Sequence, residues 1–183
     1  MTGSDPGGQE SDAALVERWQ AGDERAATTL VERHAAPLAR FAASLGVRDE
    51  IEEIVQDTFV RAFGSLGQFR GESTLRTWLF TILRRLVLDR RRARSRRPVA
   101  VPIEEGDVVT EFDALDAVVA DEAERRLAAA IATLSPTQRE VFTLRVGEGL
   151  SYREIATVAG TTEGAARVHY HNAMRAVKEF LDG

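Results

Sequence analysis

The sequence predicts an all-α protein in which a flexible acidic linker joins two small helical domains. Apolar residues make up 44% of the chain and recur at helical spacing in most segments. Glycine and proline number only 14 and 5 of 183 residues, too few for the many turns of a β-sandwich. Near the middle, residues 98–120 are acidic, begin with a proline and have no sustained periodicity.

The first domain is predicted to span residues 12–97. Residues 1–11 precede it, and their glycine, serine and acidic composition predicts disorder. Ser11 or Asp12 is expected to cap the first helix, because short polar side chains accept hydrogen bonds from the free N–H groups there. A second helical pattern runs over residues 26–45 after a Gly-Asp break.

Pro37 lies inside this second pattern and is expected to kink or split the helix, because proline has no N–H to donate. A third helix is predicted from Ile51 to Phe63, where apolar residues follow one face of a helix. Its other face is polar. The residues on that face include Glu53, Gln56 and Asp57.

Residues 64–72 contain three glycines and are predicted to form a loop. Ser73 or Thr74 is expected to cap the next helix, whose buried stripe runs over residues 75–87. This helix leads into a basic block. Residues 84–97 contain eight arginines and one aspartate, which gives this segment a local charge of +7.

The second domain is predicted to span residues 121–183. It contains two capping boxes, Ser135-Pro136-Thr137-Gln138 and Ser151-Tyr152-Arg153-Glu154, each of which marks the start of a helix. Gly160 is expected to make the turn into a further helix. This arrangement fits a helix-turn-helix, whose second helix enters the major groove of DNA.

The second helix of this motif pairs an apolar stripe with a polar and basic open face. We expect the open face to contact DNA. Its candidate residues are Thr162, Glu163, Arg167, Val168, His171, Asn172 and Arg175. Val168 could contact a thymine methyl group, and Asn172 could pair with adenine.

Three stretches resemble motifs of the bacterial sigma-70 family. Residues 53–63, EIVQDTFVRAF, resemble region 2.2, and residues 69–80, FRGESTLRTWLF, resemble regions 2.3 and 2.4. Residues 134–142 and 148–156, LSPTQREVF and EGLSYREIA, resemble region 4. Two such domains with a linker are typical of the extracytoplasmic-function (ECF) group, of which the chain is identified as a member.

The resemblance implies a factor that binds core RNA polymerase and directs it to promoters. The first domain would recognise and help to melt the −10 element, and the second would read the −35 element. The face with Glu53, Gln56 and Asp57 would bind the clamp helices of the largest polymerase subunit. The flap of the second-largest subunit, promoter DNA and an anti-sigma factor are the other expected partners.

The −10 element would be contacted by the fourth predicted helix and the loop before it. The implied residues are Arg70, Ser73, Thr74, Thr77, Trp78, Thr81, Arg84, Arg85, Arg91 and Arg92. Arginines neutralise phosphates, and a polar loop suits an extruded base. Trp78 also lies on the apolar stripe, where a role in the core is the alternative.

The sequence departs from the family at several of these positions. Arg85 stands where family members commonly have asparagine. His169 and Asn172 stand where arginine is typical, and Val168 stands where serine is typical. These changes put a standard −35 sequence in doubt. A polymerase-binding decoy and a different helix-turn-helix regulator therefore stay open as alternatives.

Other classes are less well supported. With no cysteine, three histidines and no glycine-rich phosphate loop, we expect no enzyme, no metal site and no cofactor. No apolar run approaches the roughly 18 residues that span a bilayer, and the N-terminus does not resemble a signal peptide. We therefore expect a cytoplasmic protein without membrane insertion, associated with the nucleoid when bound to polymerase.

The net charge of −5 predicts weak binding to free DNA, because nonspecific affinity comes mainly from neutralising phosphates. We hypothesise that the two halves pack together in the free protein, or that a regulator holds them. Contact between the basic helix and the acidic linker is one way in which they could pack.

Overall fold

The computed structural model describes residues 10–69, 71–96 and 122–183, and all regular structure in these ranges is helical. The all-α prediction is confirmed. The predicted linker, residues 1–9 and Arg70 lie outside the described residues. The helices are α1 (Asp12–Gln20), α2 (Glu24–Ser44), α3 (Ile51–Ser65), α4 (Leu75–Arg96), α5 (Glu122–Ala132), α6 (Pro136–Phe142), α7 (Tyr152–Ala159) and α8 (Glu163–Asp182). None of the helices in the described ranges combines the length and apolarity needed to cross a membrane.

The helix starts follow the predicted capping residues. The Ser11 hydroxyl accepts a hydrogen bond from the backbone of Ala14 at the start of α1. Both predicted capping boxes form, at the starts of α6 and α7. Gly160 adopts the left-handed conformation, with φ 64° and ψ 40°, and so makes the turn between α7 and α8.

Two helices run further than the sequence predicts. α2 begins at Glu24 and continues through Pro37 to Ser44, so the proline does not split it. Leu38 and Phe41, just beyond the proline, are fully buried and hold this part of the helix against the core. α3 extends to Ser65, so the predicted loop loses its first two residues to the helix.

A π-helical turn, Thr143–Gly147, follows α6 and was not predicted. It leads into Glu148 and then Gly149, whose φ of 68° favours glycine. The turn places the Glu148 side chain in the interior. A single π-helical turn has no clear signature in the spacing of apolar residues, so the sequence does not predict it.

The core is shared between the two halves of the chain. Phe80 of α4 packs edge-to-face on Phe41 of α2, with ring centroids 5.2 Å apart. The same apolar cluster includes Ile155 and Val158 of α7, which packs against α4. A second, smaller cluster joins α5, α6 and α8. α4 is therefore the helix against which the C-terminal half is positioned.

A polar cluster fastens α1 to α2. Asp12 accepts a hydrogen bond from Arg33 at 2.5 Å and lies 2.8 Å from Nε2 of the buried His34. Burial by itself raises the pKa of the Asp12 carboxyl. The hydrogen bonds and charges of His34 and Arg33 outweigh it and hold the pKa below its usual value.

Replacing Asp12 with Asn should lower the free energy of unfolding by about 1–2 kcal/mol at pH 7, because His34 and Arg33 lose an ionised partner. A carboxyl whose folded pKa is lowered stabilises the protein above its unfolded pKa, about 3.9 for aspartate, and ceases to do so as the pH falls through the folded value. The difference between the variant and the natural protein should therefore shrink toward pH 3.

Urea denaturation between pH 7 and pH 3 measures this difference, with the exposed Asp49→Asn as the control. Equal stability of the Asp12→Asn variant and the natural protein over the whole range would show that the cluster does not stabilise the packing of α1.

Candidate nucleic-acid interface

The polar face of α4 is covered by the C-terminal half. Thr74 caps this helix, and its hydroxyl accepts a hydrogen bond from the backbone of Thr77 at 3.1 Å. The apolar stripe of α4 faces the core, so Arg76, Thr77 and Arg84 project toward α6 and α7. The Thr77 side chain, expected to be open to a DNA strand, is instead buried, because α7 packs over it.

Glu148 makes the most buried of the contacts between the halves. Its side chain is 0% exposed. One carboxylate oxygen accepts hydrogen bonds from Arg40 of α2 at 3.0 and 3.2 Å, and the other accepts one from Arg76 of α4. A buried carboxylate is tolerated only when such partners compensate for its lost hydration.

Glu140 of α6 makes a second ionic contact. Its carboxylate, with 8% of the side chain exposed, accepts a hydrogen bond from Nε of Arg84 at 2.5 Å. Arg84 also lies beside the turn of the helix-turn-helix. A Cβ atom placed on Gly160 would be 3.9 Å from Nη1 of Arg84, which is ordinary van der Waals contact. Arg84, with 23% of its side chain exposed, thus packs against the C-terminal half.

Glu154 of α7 makes a third contact between the halves. It is also the third residue of its own helix and completes the capping box with Ser151. It accepts hydrogen bonds from the hydroxyls of Thr77 at 3.0 Å and Thr74 at 3.4 Å. Partial burial raises the pKa of Glu154, but hydrogen bonds from the backbone and hydroxyl of Ser151 and from the two threonines outweigh it and lower the pKa. Glu154 therefore stays ionised at neutral pH.

The other residues implied for −10 binding are spread over this side of the molecule. Ser73 and Thr81 are half-buried, Arg85, Arg91 and Arg92 are exposed, and Arg70 lies outside the described residues. Trp78 is half-buried and packs on Phe69 with ring centroids 5.0 Å apart, which favours the core role. Arg40 was not among the predicted site residues, because nothing in the local sequence links it to α4.

The polar face of α3 is partly neutralised within the chain. Arg90 of α4 donates hydrogen bonds to Glu53 at 2.9 Å, to Asp57 at 2.6 Å and to a third acid, Glu50. Gln56 is exposed. Val60, 70% exposed, lies one turn further along the same face and was not singled out from the sequence. Val60 follows Gln56 by four residues, and this spacing places the two side chains on the same face of a helix.

The predicted DNA-reading face of α8 is open to solvent. Thr162, Glu163, Arg167, Val168, His171 and Arg175 are exposed, and Asn172 is half-buried. Thr162 uses its hydroxyl to cap the helix. Arg167 pairs with Glu163 at 2.7 Å, and Arg175 donates to Asn172 at 3.3 Å. The side chains of this face are therefore brought together, and several already have partners within the helix.

Tyr152 lies between two guanidinium groups at the base of this face. The carbons at the centre of the Arg145 and Arg167 guanidinium groups each lie 4.8 Å from the centroid of its ring. Arg145 is also held by a hydrogen bond to the carbonyl of Leu150 at 2.8 Å. Such cation–π contacts limit the orientations of Arg167 and fix where its charge points.

Comparison with known proteins identifies both halves. A family model for sigma-70 region 2 matches residues 30–97, and a model for sigma-70 region 4 matches residues 124–177. The ECF RNA polymerase sigma-E factor of Haemophilus influenzae is 33% identical over 93% of this chain and 95% of its own. The RNA polymerase sigma-H factor of Pseudomonas aeruginosa is 34% identical over 94% and 95%.

Two solved structures share the fold over most of their length. One is CnrH in complex with the cytosolic domain of CnrY, with a TM-score of 0.69, 28% identity, and coverage of 94% of this chain and 98% of that one. The other is the sigma factor RpoE of Bartonella quintana in complex with the anti-sigma factor NepR, with a TM-score of 0.64, 28% identity, and coverage of 85% and 96%.

Replacing Tyr152 with Leu should lower the free energy of unfolding by roughly 1 kcal/mol, because two exposed cation–π contacts are lost. Tyr152→Phe keeps the ring and should lower it less. Urea denaturation of both variants, alone and combined with Arg167→Gln, measures the coupling between the ring and the guanidinium group. If the Leu and Phe variants are equally stable, the ring does not hold Arg167.

Proposed function

The chain belongs to the ECF group of the sigma-70 family and directs RNA polymerase to promoters, and from this premise we propose how its two halves share the task. Residues 12–97 form the domain that binds core polymerase and the −10 element, and residues 121–183 form the domain that reads the −35 element. The observation that carries the proposal is the presence, on one chain, of a run of arginines along α4 and an exposed polar and basic face on α8.

α3 provides the main contact with core polymerase. Its partner is the pair of clamp helices of the largest subunit. Gln56 contributes an exposed polar side chain and Val60 an exposed apolar one. Glu53 and Asp57 add negative charge. Because Arg90 pairs with both acids, part of their charge is satisfied before polymerase binds. Covering the exposed Val60 side chain on binding would remove apolar surface from water and so favour the complex.

α4 binds the melted −10 strand. Arg84, Arg85 and the arginines near its end neutralise phosphates, and the threonine hydroxyls of Thr74 and Thr77 donate to phosphates or bases. Trp78 supports this surface from the core side by packing on Phe69.

α8 reads the −35 element in the major groove. Arg167 and Val168 occupy the second turn of the helix, where side chains reach base edges. Arg167 suits a guanine, and Val168 suits a thymine methyl group. Because the helix carries His169 and Asn172, the preferred −35 sequence differs from one read by arginines at those positions.

Several further assignments complete the proposal. The protein is a non-catalytic initiation factor of the cytoplasm, and its C-terminal half contacts the flap of the second-largest polymerase subunit. An anti-sigma factor regulates it. Supporting the last assignment, the similar structures of CnrH and RpoE were solved with CnrY and with the anti-sigma factor NepR.

The double variant Gln56→Ala/Val60→Ala should bind core polymerase about tenfold more weakly, since a combined loss of about 1.4 kcal/mol from two contact residues is a factor of ten in affinity. Titration of fluorescently labelled protein with core polymerase measures the affinity. Gln20→Ala, an exposed glutamine on α1, is the matched control. An unchanged affinity, with the fold intact by circular dichroism, would remove α3 from the interface.

Arg167→Ala and Val168→Ala should each alter which −35 sequences are used, because a lost base contact costs about 1–3 kcal/mol of discrimination. Affinity for core polymerase should stay unchanged. Run-off transcription with core polymerase on a library of genomic fragments measures promoter choice, with the exposed Lys178→Ala further along α8 as the control. The same promoter profile for all four proteins would show that α8 is not the reader.

A further inference from the structure

We infer that Tyr152 and Glu163 are positioning residues for −35 recognition: they hold the side chain of Arg167 so that it discriminates in favour of a G·C base pair. Neither residue contacts that base pair itself. The inference rests on the proposed function of α8. It adds the class of base pair that one arginine reads and the two groups that make this reading selective.

Tyr152 forms a fixed platform beside the second turn of α8. It is the first residue of α7, directly after the Ser151 cap, and it packs against the main apolar cluster. Its ring meets that of Tyr170 of α8 edge-on, with the two centroids 5.8 Å apart. A ring held by a helix start, by the core and by the neighbouring helix has little freedom to move. A group that stacks on this ring is therefore fixed relative to α8.

The guanidinium group of Arg167 lies over this ring. Its central carbon is 4.8 Å from the ring centroid, within the roughly 6 Å at which the face of an aromatic ring attracts a cation. Arg145 lies at the same distance, and its hydrogen bond to the carbonyl of Leu150 at 2.8 Å keeps it there. The ring thus restricts Arg167 even though 55% of the arginine side chain is exposed.

Glu163 places a second restriction on the same guanidinium group. Its Oε1 atom accepts a hydrogen bond from Nη2 of Arg167 at 2.7 Å, across one turn of α8. An isolated ion pair of this kind on a helix surface contributes little to stability. Here it acts together with the ring, because the ring limits where the guanidinium group lies and the carboxylate limits how the group is turned.

The location of Glu163 favours a role in selectivity over a role in affinity. Glu163 is the first residue of α8 and lies on the exposed face that is proposed to enter the major groove. Phosphates repel a carboxylate at this place, so Glu163 by itself weakens binding to every DNA sequence. A residue that lowers the affinity for all DNA but orders a base-reading side chain increases the difference between right and wrong sequences.

The donors that remain on Arg167 suit guanine. A guanidinium group has several N–H donors, and the contact with Glu163 involves Nη2 alone. Two parallel donors match O6 and N7 of guanine, and no other base presents two adjacent acceptors in the major groove. A side chain that is already ordered loses less conformational freedom on binding, so more of the difference between guanine and the other bases is expressed.

The test compares the base preferences of holoenzymes assembled from core polymerase and full-length variants of the chain. Each holoenzyme selects DNA from a pool of linear duplexes with a randomised central segment. Sequencing of the bound DNA then gives the preference at every position of the −35 element. Arg167→Ala should remove a preference of about tenfold for G·C at one position, and so marks the base pair that Arg167 reads.

Glu163→Ala and Tyr152→Leu should each reduce the preference at the marked position roughly three- to fivefold and leave the other positions unchanged. Tyr152→Phe keeps the ring and should keep the preference. Glu179→Ala is the matched control, because it removes an exposed acid from the far end of α8 and changes the net charge equally. A residue with only a structural or general electrostatic role would change the affinity for all sequences by one factor and alter no preference.

An unchanged preference at the marked position, in Glu163→Ala or in folded Tyr152→Leu, would overturn the inference while α8 remains the reader. An effect of Glu163→Ala at a different base pair would overturn it too, because Glu163 would then read a base itself. If Tyr152→Leu is unfolded by circular dichroism, Glu163→Ala alone decides the question. If Arg167→Ala alters no preference at any position, reading by Arg167 fails together with its positioning.

Discussion

The position of the C-terminal half depends on one buried charge. Glu148 has no exposed side-chain surface, and its two oxygens are bound by arginines from two different helices of the other half. Removing a carboxylate from water costs several kcal/mol unless hydrogen-bonded cations replace the water. Glu148 can therefore stay buried only while α2, α4 and the segment after α6 keep this arrangement. The contacts of Glu140 and Glu154 follow from the same placement.

This constraint relates the acidic character of the chain to its function. A sigma factor that bound DNA by itself would be distributed along the chromosome, because phosphate binding is largely independent of sequence. Here Arg76 and Arg84 of α4 are paired with acids of the same chain. The prediction that the halves pack together agrees with the described contacts, but the acids that meet α4 lie in α6, α7 and the segment between them. The linker, given above as one possible source of such acids, lies outside the described residues.

Local structure could be predicted from the sequence because its causes are local. The capping boxes at Ser135 and Ser151, the turn at Gly160 and the apolar stripe of α4 each depend on residues within a few positions of one another. Of the two outcomes expected at Pro37, a split does not occur, because α2 continues through the proline and the residues beyond it, Leu38 and Phe41, are buried in the core.

The covered site could not be predicted in the same way. The pairs Arg40–Glu148 and Arg84–Glu140 are separated by 108 and 56 residues along the chain. Nothing in the spacing of either partner indicates the other. Thr77 was expected to contact the −10 strand, yet it is buried, because a second helix packs on that face. Which faces of a helix are covered depends on how all the helices assemble.

The central claim is that the free chain is closed and that polymerase opens it. The chain has no cysteine, so nitroxide labels can be attached at Thr28→Cys and Glu179→Cys, two exposed positions in different halves. Double electron–electron resonance then gives the distribution of distances between the labels. We predict one narrow peak for the free protein and a shift to longer distances when core polymerase is added. A broad distribution for the free protein, or a peak that polymerase does not move, would contradict the account.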